Sequence, residues 1–214
     1  MISFVGESFA PRHLRNAAKL RGLVLTDLEK AKLVFVSEDT PTQHGVRDLD
    51  LIERLTRETV SRCACPVVLT SQVPPGFTRS LGLPIYHMAE TLRVKDAEQR
   101  ALEPEQFIIG CEVRDDALPT ILEDYLNAYG CPVMVGTYED AEFAKIAINM
   151  SLAAQVDSVN RLSLAAQKCG ADWQFIKQVL QHDKRMGAYL TPGDWKQSQH
   201  LLRDYVTLLD IERG

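Results

Sequence analysis

Short apolar, β-branched runs alternate with longer segments of helical periodicity along the first half of the chain. The runs at residues 2–5, 33–37, 67–71 and 107–111 predict buried strands, and the amphipathic segments 12–20 and 48–60 predict helices. Strands that alternate with helices, and that are apolar on both faces, predict a parallel sheet with helices on both sides. Leu118, Ile121, Leu122, Tyr125, Leu126 and Tyr129 recur at the three-and-four spacing of one further helix, which Gly130 can close in a left-handed cap. Residues 131–135 then predict the last strand.

The pattern changes at Glu139. From there to Cys169 the chain has no Pro and no Gly, which predicts a single helix ending at Gly170. Phe143, Ile146, Ala147, Met150, Ala154, Val159, Leu162 and Ala166 can share its stripe. At 1.5 Å per residue it reaches on the order of 45 Å, longer than a small domain needs for its own core, so part of it is expected to pack against something else. Asp172 can cap a further helix carrying Phe175, Ile176, Val179 and Leu180, and residues 198–209 predict a last one after the turn at Pro192-Gly193. The expected architecture is an α/β domain over residues 1–138 and a helical region over 139–214.

Composition narrows the partners. With 24 Lys and Arg against 29 Asp and Glu in 214 residues, the net charge of -5 leaves no basic run to neutralise phosphates, so nucleic acid is not an expected partner. No apolar stretch approaches the ~20 residues of a membrane helix, and Met1-Ile2-Ser3-Phe4-Val5 lacks the basic lead of a secretion signal; no membrane association and a cytoplasmic location are expected. Five cysteines, an odd number, include only a Cys63-x-Cys65 pair, and the five histidines hold no i,i+4 pair, so reduced thiols and no metal site are expected.

Gly6-Glu7-Ser8-Phe9-Ala10-Pro11, between the first strand and its helix, stands where a dinucleotide-binding fold carries G-x-G-x-x-G. Only Gly6 is kept. Ser8 adds a side chain where phosphates approach, and Pro11 removes a backbone N–H. The ribose-holding acid of such a fold has a candidate in Asp27, although Thr26-Asp27 also reads as the cap of a short helix over residues 28–32, and that reading is preferred.

Several further blocks occur in a telling order: Val34-Phe35-Val36-Ser37-Glu38-Asp39-Thr40-Pro41, Asp48-Leu49-Asp50, Val67 through Ser71-Gln72-Val73-Pro74-Pro75-Gly76-Phe77-Thr78, and Glu103 through Gly110. Ala141-Glu142-Phe143-Ala144-Lys145-Ile146-Ala147-Ile148-Asn149 follows, with the form A-E-x-x-K-x-x-x-N, and then Asn160-Arg161-Leu162, Cys169-Gly170-Ala171-Asp172 and Asp183-Lys184-Arg185-Met186-Gly187. Together they resemble the UDP-glucose/GDP-mannose dehydrogenase family from Leu33 to Asp204. That resemblance implies a Rossmann-like fold, NAD as cofactor, a nucleotide sugar as substrate, and a homodimer built on the central helical region. It also implies a catalytic Cys that holds the aldehyde during a two-step, four-electron oxidation.

Carried over residue by residue, the resemblance assigns catalytic roles to Lys145, Asn149, Glu90 and Asp204, substrate contacts to Arg185 and Arg203, and cofactor contacts to Gly6, Thr40, Pro41, Ser71 and Gln72. Two departures stand out. Gln72 replaces the Thr of S-T-V-P. His200 aligns on the nucleophilic Cys of G-G-x-C-x-P-K-D, with Gln197, Ser198 and Leu202 where its two glycines and its proline belong. An imidazole cannot form the thiohemiacetal of the second oxidation. The family's C-terminal nucleotide domain, and a stretch between the first helix and Leu33, are expected to be absent. Three activities therefore stand open: a working dehydrogenase, a non-catalytic binding or regulatory relative, and a one-step alcohol dehydrogenase with His200 as general base. Weak or absent NAD binding is expected throughout.

Overall fold

A computed structural model describes residues 1–114, 116–184, 186 and 191–213. They fall into two compact units, one of residues 1–43 and 47–145 and the other of 44–46 and 146–214. The chain runs β1 (Ile2–Val5), α1 (Phe9–Leu20), β2 (Leu33–Val36), the hairpin β3 (Thr42–Gln43) and β4 (Val46–Arg47), α2 (Asp50–Arg62), β5 (Val67–Leu69) and α3 (Phe77–Ser80). It continues through β6 (Tyr86–Met88), α4 (Ala97–Leu102), β7 (Phe107–Cys111), α5 (Thr120–Asn127), β8 (Val133–Thr137), α6 (Tyr138–Cys169), α7 (Trp173–His182) and α8 (Gln199–Arg213).

Six strands form one sheet in the order β1-β2-β5-β6-β7-β8. The pairs β1–β2, β2–β5, β5–β6 and β7–β8 are parallel. Alternation along β2 explains the two layers. Leu33 and Phe35 enter one apolar cluster with Leu14 of α1 and Leu122, Tyr125 and Leu126 of α5, whereas Val34 and Val36 enter the other with Ile52 of α2 and Phe77 of α3. The expected α/β architecture with helices on both faces is therefore present.

Two expectations are corrected. Tyr86–Met88, a run too short and too polar to announce a strand, pairs with β5, and β7 then runs antiparallel to it through His87↔Gly110 and Met88↔Ile109. The sheet is mainly, not wholly, parallel. The short helix expected after Thr26-Asp27 is present as a 3-10 turn, Leu28–Lys30, with Asp27 at its N-cap position, but the Asp27 carboxylate makes no capping hydrogen bond to it. Just before it, Leu25 forms an isolated parallel bridge to Ile2.

In the second unit, Ile146, Ala153, Val159 and Ala166 of α6 are buried. Trp195 donates from its ring N–H to Asp157 at 2.8 Å and packs edge-on to Tyr205. Asp172 caps α7 by accepting from the Gln174 N–H, as its position predicts. The single stripe expected on α6 divides, because Phe143 and Leu162 are 40% and 47% exposed while Ile146 and Val159 are buried. Among the described residues no helix is long and apolar enough to cross a membrane.

The start of α6 presses directly on the sheet. A Cβ on Gly110 would lie 2.9 Å from the Tyr138 Cα and 3.0 Å from the Thr137 carbonyl oxygen. Gly110→Ala is expected to lower stability by about 1–3 kcal/mol, as overpacking against backbone does. A urea midpoint equal to that of the parent chain would show that the approach is not tight.

Candidate functional site

The first unit gathers polar groups at the end of the sheet where β1, β2, β5 and β6 terminate. Gly6 follows β1 with φ +124°, and a Cβ there would lie 2.9 Å from both the Glu38 N and its Oε2. Glycine is required here because the tip of β2 crosses close above it. Thr40 donates from its hydroxyl to the Gln72 carbonyl at 2.7 Å, and Pro41 accepts from the Asp48 N–H. Gln72 donates through Nε2 to the Glu90 carboxylate at 3.1 Å, and the Leu92 N–H donates to the same carboxylate. Burial pushes the Glu90 carboxyl up, opposed by the positive charge of Lys145 beside it and by these hydrogen bonds, and reinforced by Asp39. Four of the residues assigned by sequence are thus brought together: Thr40, Gln72, Glu90 and Lys145.

Glu142 lies one turn before Lys145 on α6 and is buried. Its carboxylate accepts from the N–H groups of Gly76 and Thr78, at 2.6 and 2.9 Å, fastening the Pro74–Thr78 turn to the helix that carries Lys145. The motif A-E-x-x-K contains this acid, but spacing alone does not reveal that it anchors a distant turn.

The second unit holds its own polar cluster. Asn149 donates to Asp204 at 2.6 Å, and the buried Arg203 guanidinium approaches the other Asp204 oxygen at 3.4 Å. Arg203 therefore turns its Nε toward a neighbouring carboxylate. His200 is exposed, one turn before Asp204 on α8. Arg185 lies outside the described residues. Cys169 stands at the far end of α6 from Asn149, about 30 Å away at the helical rise, too far to supply a thiol there.

Whether the chain fits a dinucleotide is decided at the start of α1. The first N–H groups of a helix have no partner within it and, with the helix dipole, favour an anion. Here they are already taken. Glu38 Oε2 accepts from the Glu7 N–H at 2.7 Å and from the Ser8 N–H at 3.4 Å, and Asp39 accepts from the N–H groups of Phe9 and Ala10 at 2.8 and 3.3 Å. In return the Asp39 N–H donates to the Ser8 hydroxyl at 2.7 Å. Pro11 sits in the first turn of α1, where its missing N–H costs nothing. Deeper along the strand ends, the buried Ser37 and Ser71 hydroxyls and Gln72 Oε1 have no hydrogen-bond partner among the described residues. That end offers polar atoms, but the phosphate cradle does not fit a pyrophosphate while two carboxylates fill it.

The comparisons agree with the fold. Residues 139–209 match the UDP-glucose/GDP-mannose dehydrogenase family, central domain. A UDP-glucose 6-dehydrogenase of Bacillus subtilis is 26% identical over 182 residues, 75% of this chain and 40% of that protein. Its counterpart from Streptococcus pneumoniae is 25% identical over 194 residues, 77% and 49% of the two lengths. The chain thus spans less than half of each. Among solved structures, a UDP-glucose dehydrogenase from the archaeon Pyrobaculum islandicum superposes with a TM-score of 0.77 at 19% identity, covering 99% of this chain and 64% of that one.

Glu90 supplies a test. Because its folded pKa lies above the ordinary carboxylate value, its stabilising contribution is complete below that value and is lost as pH rises through the folded pKa. The stability of Glu90→Gln relative to the parent, from urea unfolding between pH 4 and pH 7.5, is expected to improve steadily as pH rises. A relative stability of Glu90→Gln that stays flat, or that falls with rising pH, contradicts a buried, destabilised carboxylate.

Proposed function

We propose that this chain, a divergent relative of the UDP-glucose/GDP-mannose dehydrogenase family, keeps part of that family's site, does not carry out the complete four-electron oxidation, and serves as a non-catalytic binding or regulatory relative. The observation that carries this reading is the residue at the nucleophile's position: an exposed His200 one turn from the Asn149–Asp204 pair, with the α6 thiol, Cys169, about 30 Å along the helix from Asn149. A thiolate forms a thiohemiacetal that can surrender a second hydride; imidazole has no equivalent.

The NAD dependence of the family comes to this chain only in weakened form. Gly6 survives, but Ser8 stands where the second glycine would admit the pyrophosphate, and the strand that carries the ribose carboxylate is reduced to a single bridge at Leu25. Incubation with NAD and UDP-glucose or GDP-mannose is expected to give no sugar acid above a no-protein control, and calorimetry no micromolar NAD binding. Sugar acid formed by the chain would overturn the reading; acid that persists in His200→Ala would also overturn the alignment at that position.

The same reading includes a homodimer through α6. Phe143 and Leu162 are exposed on this helix, and alanines such as Ala154 and Ala165 permit close helix approach. A two-fold contact needs only one such surface. Light scattering is expected to give about twice the 24.0 kDa chain mass. Ala154→Glu is expected to return it to the monomer mass, through the cost of burying an unpaired carboxylate. A monomer mass for the parent at micromolar concentration defeats the dimer.

A further inference from the structure

We propose that Glu38 and Asp39 are a built-in dianion, which fills the phosphate cradle at the start of α1 and thereby excludes a pyrophosphate from it. Three independent features meet in this arrangement.

The first is stoichiometric. Four consecutive N–H groups, those of Glu7, Ser8, Phe9 and Ala10, point out of the turn and the first helical residues, and the next residue, Pro11, has none to offer. All four are accepted by two carboxylates at 2.7–3.4 Å. Two adjacent anionic groups on one short tether present the same charge and acceptor pattern as two linked phosphates.

The second is steric. The tip of β2 passes so close to Gly6 that the Glu38 backbone N lies 2.9 Å, and its Cα 3.0 Å, from where a Cβ would stand. The glycine that elsewhere lets a phosphate approach the backbone here lets a strand tip approach it. The third is reciprocal fastening. The Asp39 N–H holds the Ser8 hydroxyl, and Arg15 donates to the carbonyl oxygens of Phe4 and Gly6 and pairs with Glu7, pinning the turn from the helix side. The side chain that spoils the glycine motif, Ser8, is thus the one that secures the acid pair. Ser8 and the two acids thus form one interlocked unit.

This extends the weakened dinucleotide site argued above and rests on it, yet it names a different cause: occupation of the amides, not merely their obstruction. The test uses the full chain with inorganic pyrophosphate and NAD as probes, read by calorimetry and by thermal melting. The parent is expected to show no melting shift with millimolar pyrophosphate. Glu38→Ala combined with Asp39→Ala removes both acceptors; it is expected to melt lower than the parent, because four helix-terminal amides lose their partners, and to recover several degrees on adding pyrophosphate. Its affinity for pyrophosphate is expected to exceed the parent's by at least about tenfold. Should the alanine pair fail to fold, Glu38→Gln combined with Asp39→Asn keeps acceptors without charge and is expected to gain the same preference in smaller measure.

A parent that binds pyrophosphate as tightly as the variants overturns the proposal. So do folded variants that remain indifferent to it, and that second result leaves the weakened-site reading standing. Sugar acid produced by the parent would sink the functional reading and, because the oxidation needs bound NAD, would also contradict a cradle closed to pyrophosphate.

Discussion

The first turn of α1 begins with backbone N–H groups that no helix can satisfy internally, and the geometry at the top of this sheet follows from how they are satisfied. Leaving such groups unpaired in a partly buried position costs roughly 1–3 kcal/mol each. Where a dinucleotide-binding turn leaves this debt to a phosphate, here the neighbouring strand tip settles it, through Glu38 and Asp39. Because the acids follow directly on β2, they can reach the turn only if β1 and β2 pair in register, Ile2 with Leu33 through Val5 with Val36. The sheet and the turn are therefore mutually dependent.

Consequences extend along the strand ends. Once residues 38 and 39 are drawn toward α1, Thr40 is set to bond the Gln72 carbonyl, and Gln72 in turn to hold Glu90. Asp39 also adds its charge to those acting on Glu90. The polar network that includes Lys145 is thus connected to the occupied cradle through three residues. Glu142 adds a second fastening from α6 to the turn after β5. Both anchors use the same device, a carboxylate accepting from consecutive or near-consecutive amides.

Much of this fold was legible in the sequence, because buried strands such as Leu33–Val36 and Val67–Leu69 are apolar on both faces and the helices between them keep their period. Tyr86–Met88 was not, since three residues including a histidine carry no period, and only the neighbours on either side make them a strand. On α6 the apolar period gave the helix but not which of its apolar residues are covered: Ile146 and Val159 are buried, while Phe143 and Leu162, three residues from each, are exposed. Of the site, the A-E-x-x-K-x-x-x-N spacing pointed to Lys145 and Asn149, and tertiary structure supplied what they face. Glu38 and Asp39 were visible only as an acidic pair after a strand; that they cap another element depends on pairing between segments some 30 residues apart. The departures from the glycine motif are plain in the sequence, but nothing there signals that two carboxylates accept from the amides of that turn.

Amide hydrogen exchange in the parent chain tests the central claim most directly. If the acid pair holds the cradle, the N–H groups of Glu7 and Phe9, which precede or open the helix and would otherwise exchange freely, are protected, and millimolar pyrophosphate or NAD leaves their rates unchanged. Fast exchange at both positions in the free protein, slowed on adding pyrophosphate, would mean that the cradle is open and that the carboxylates do not fill it.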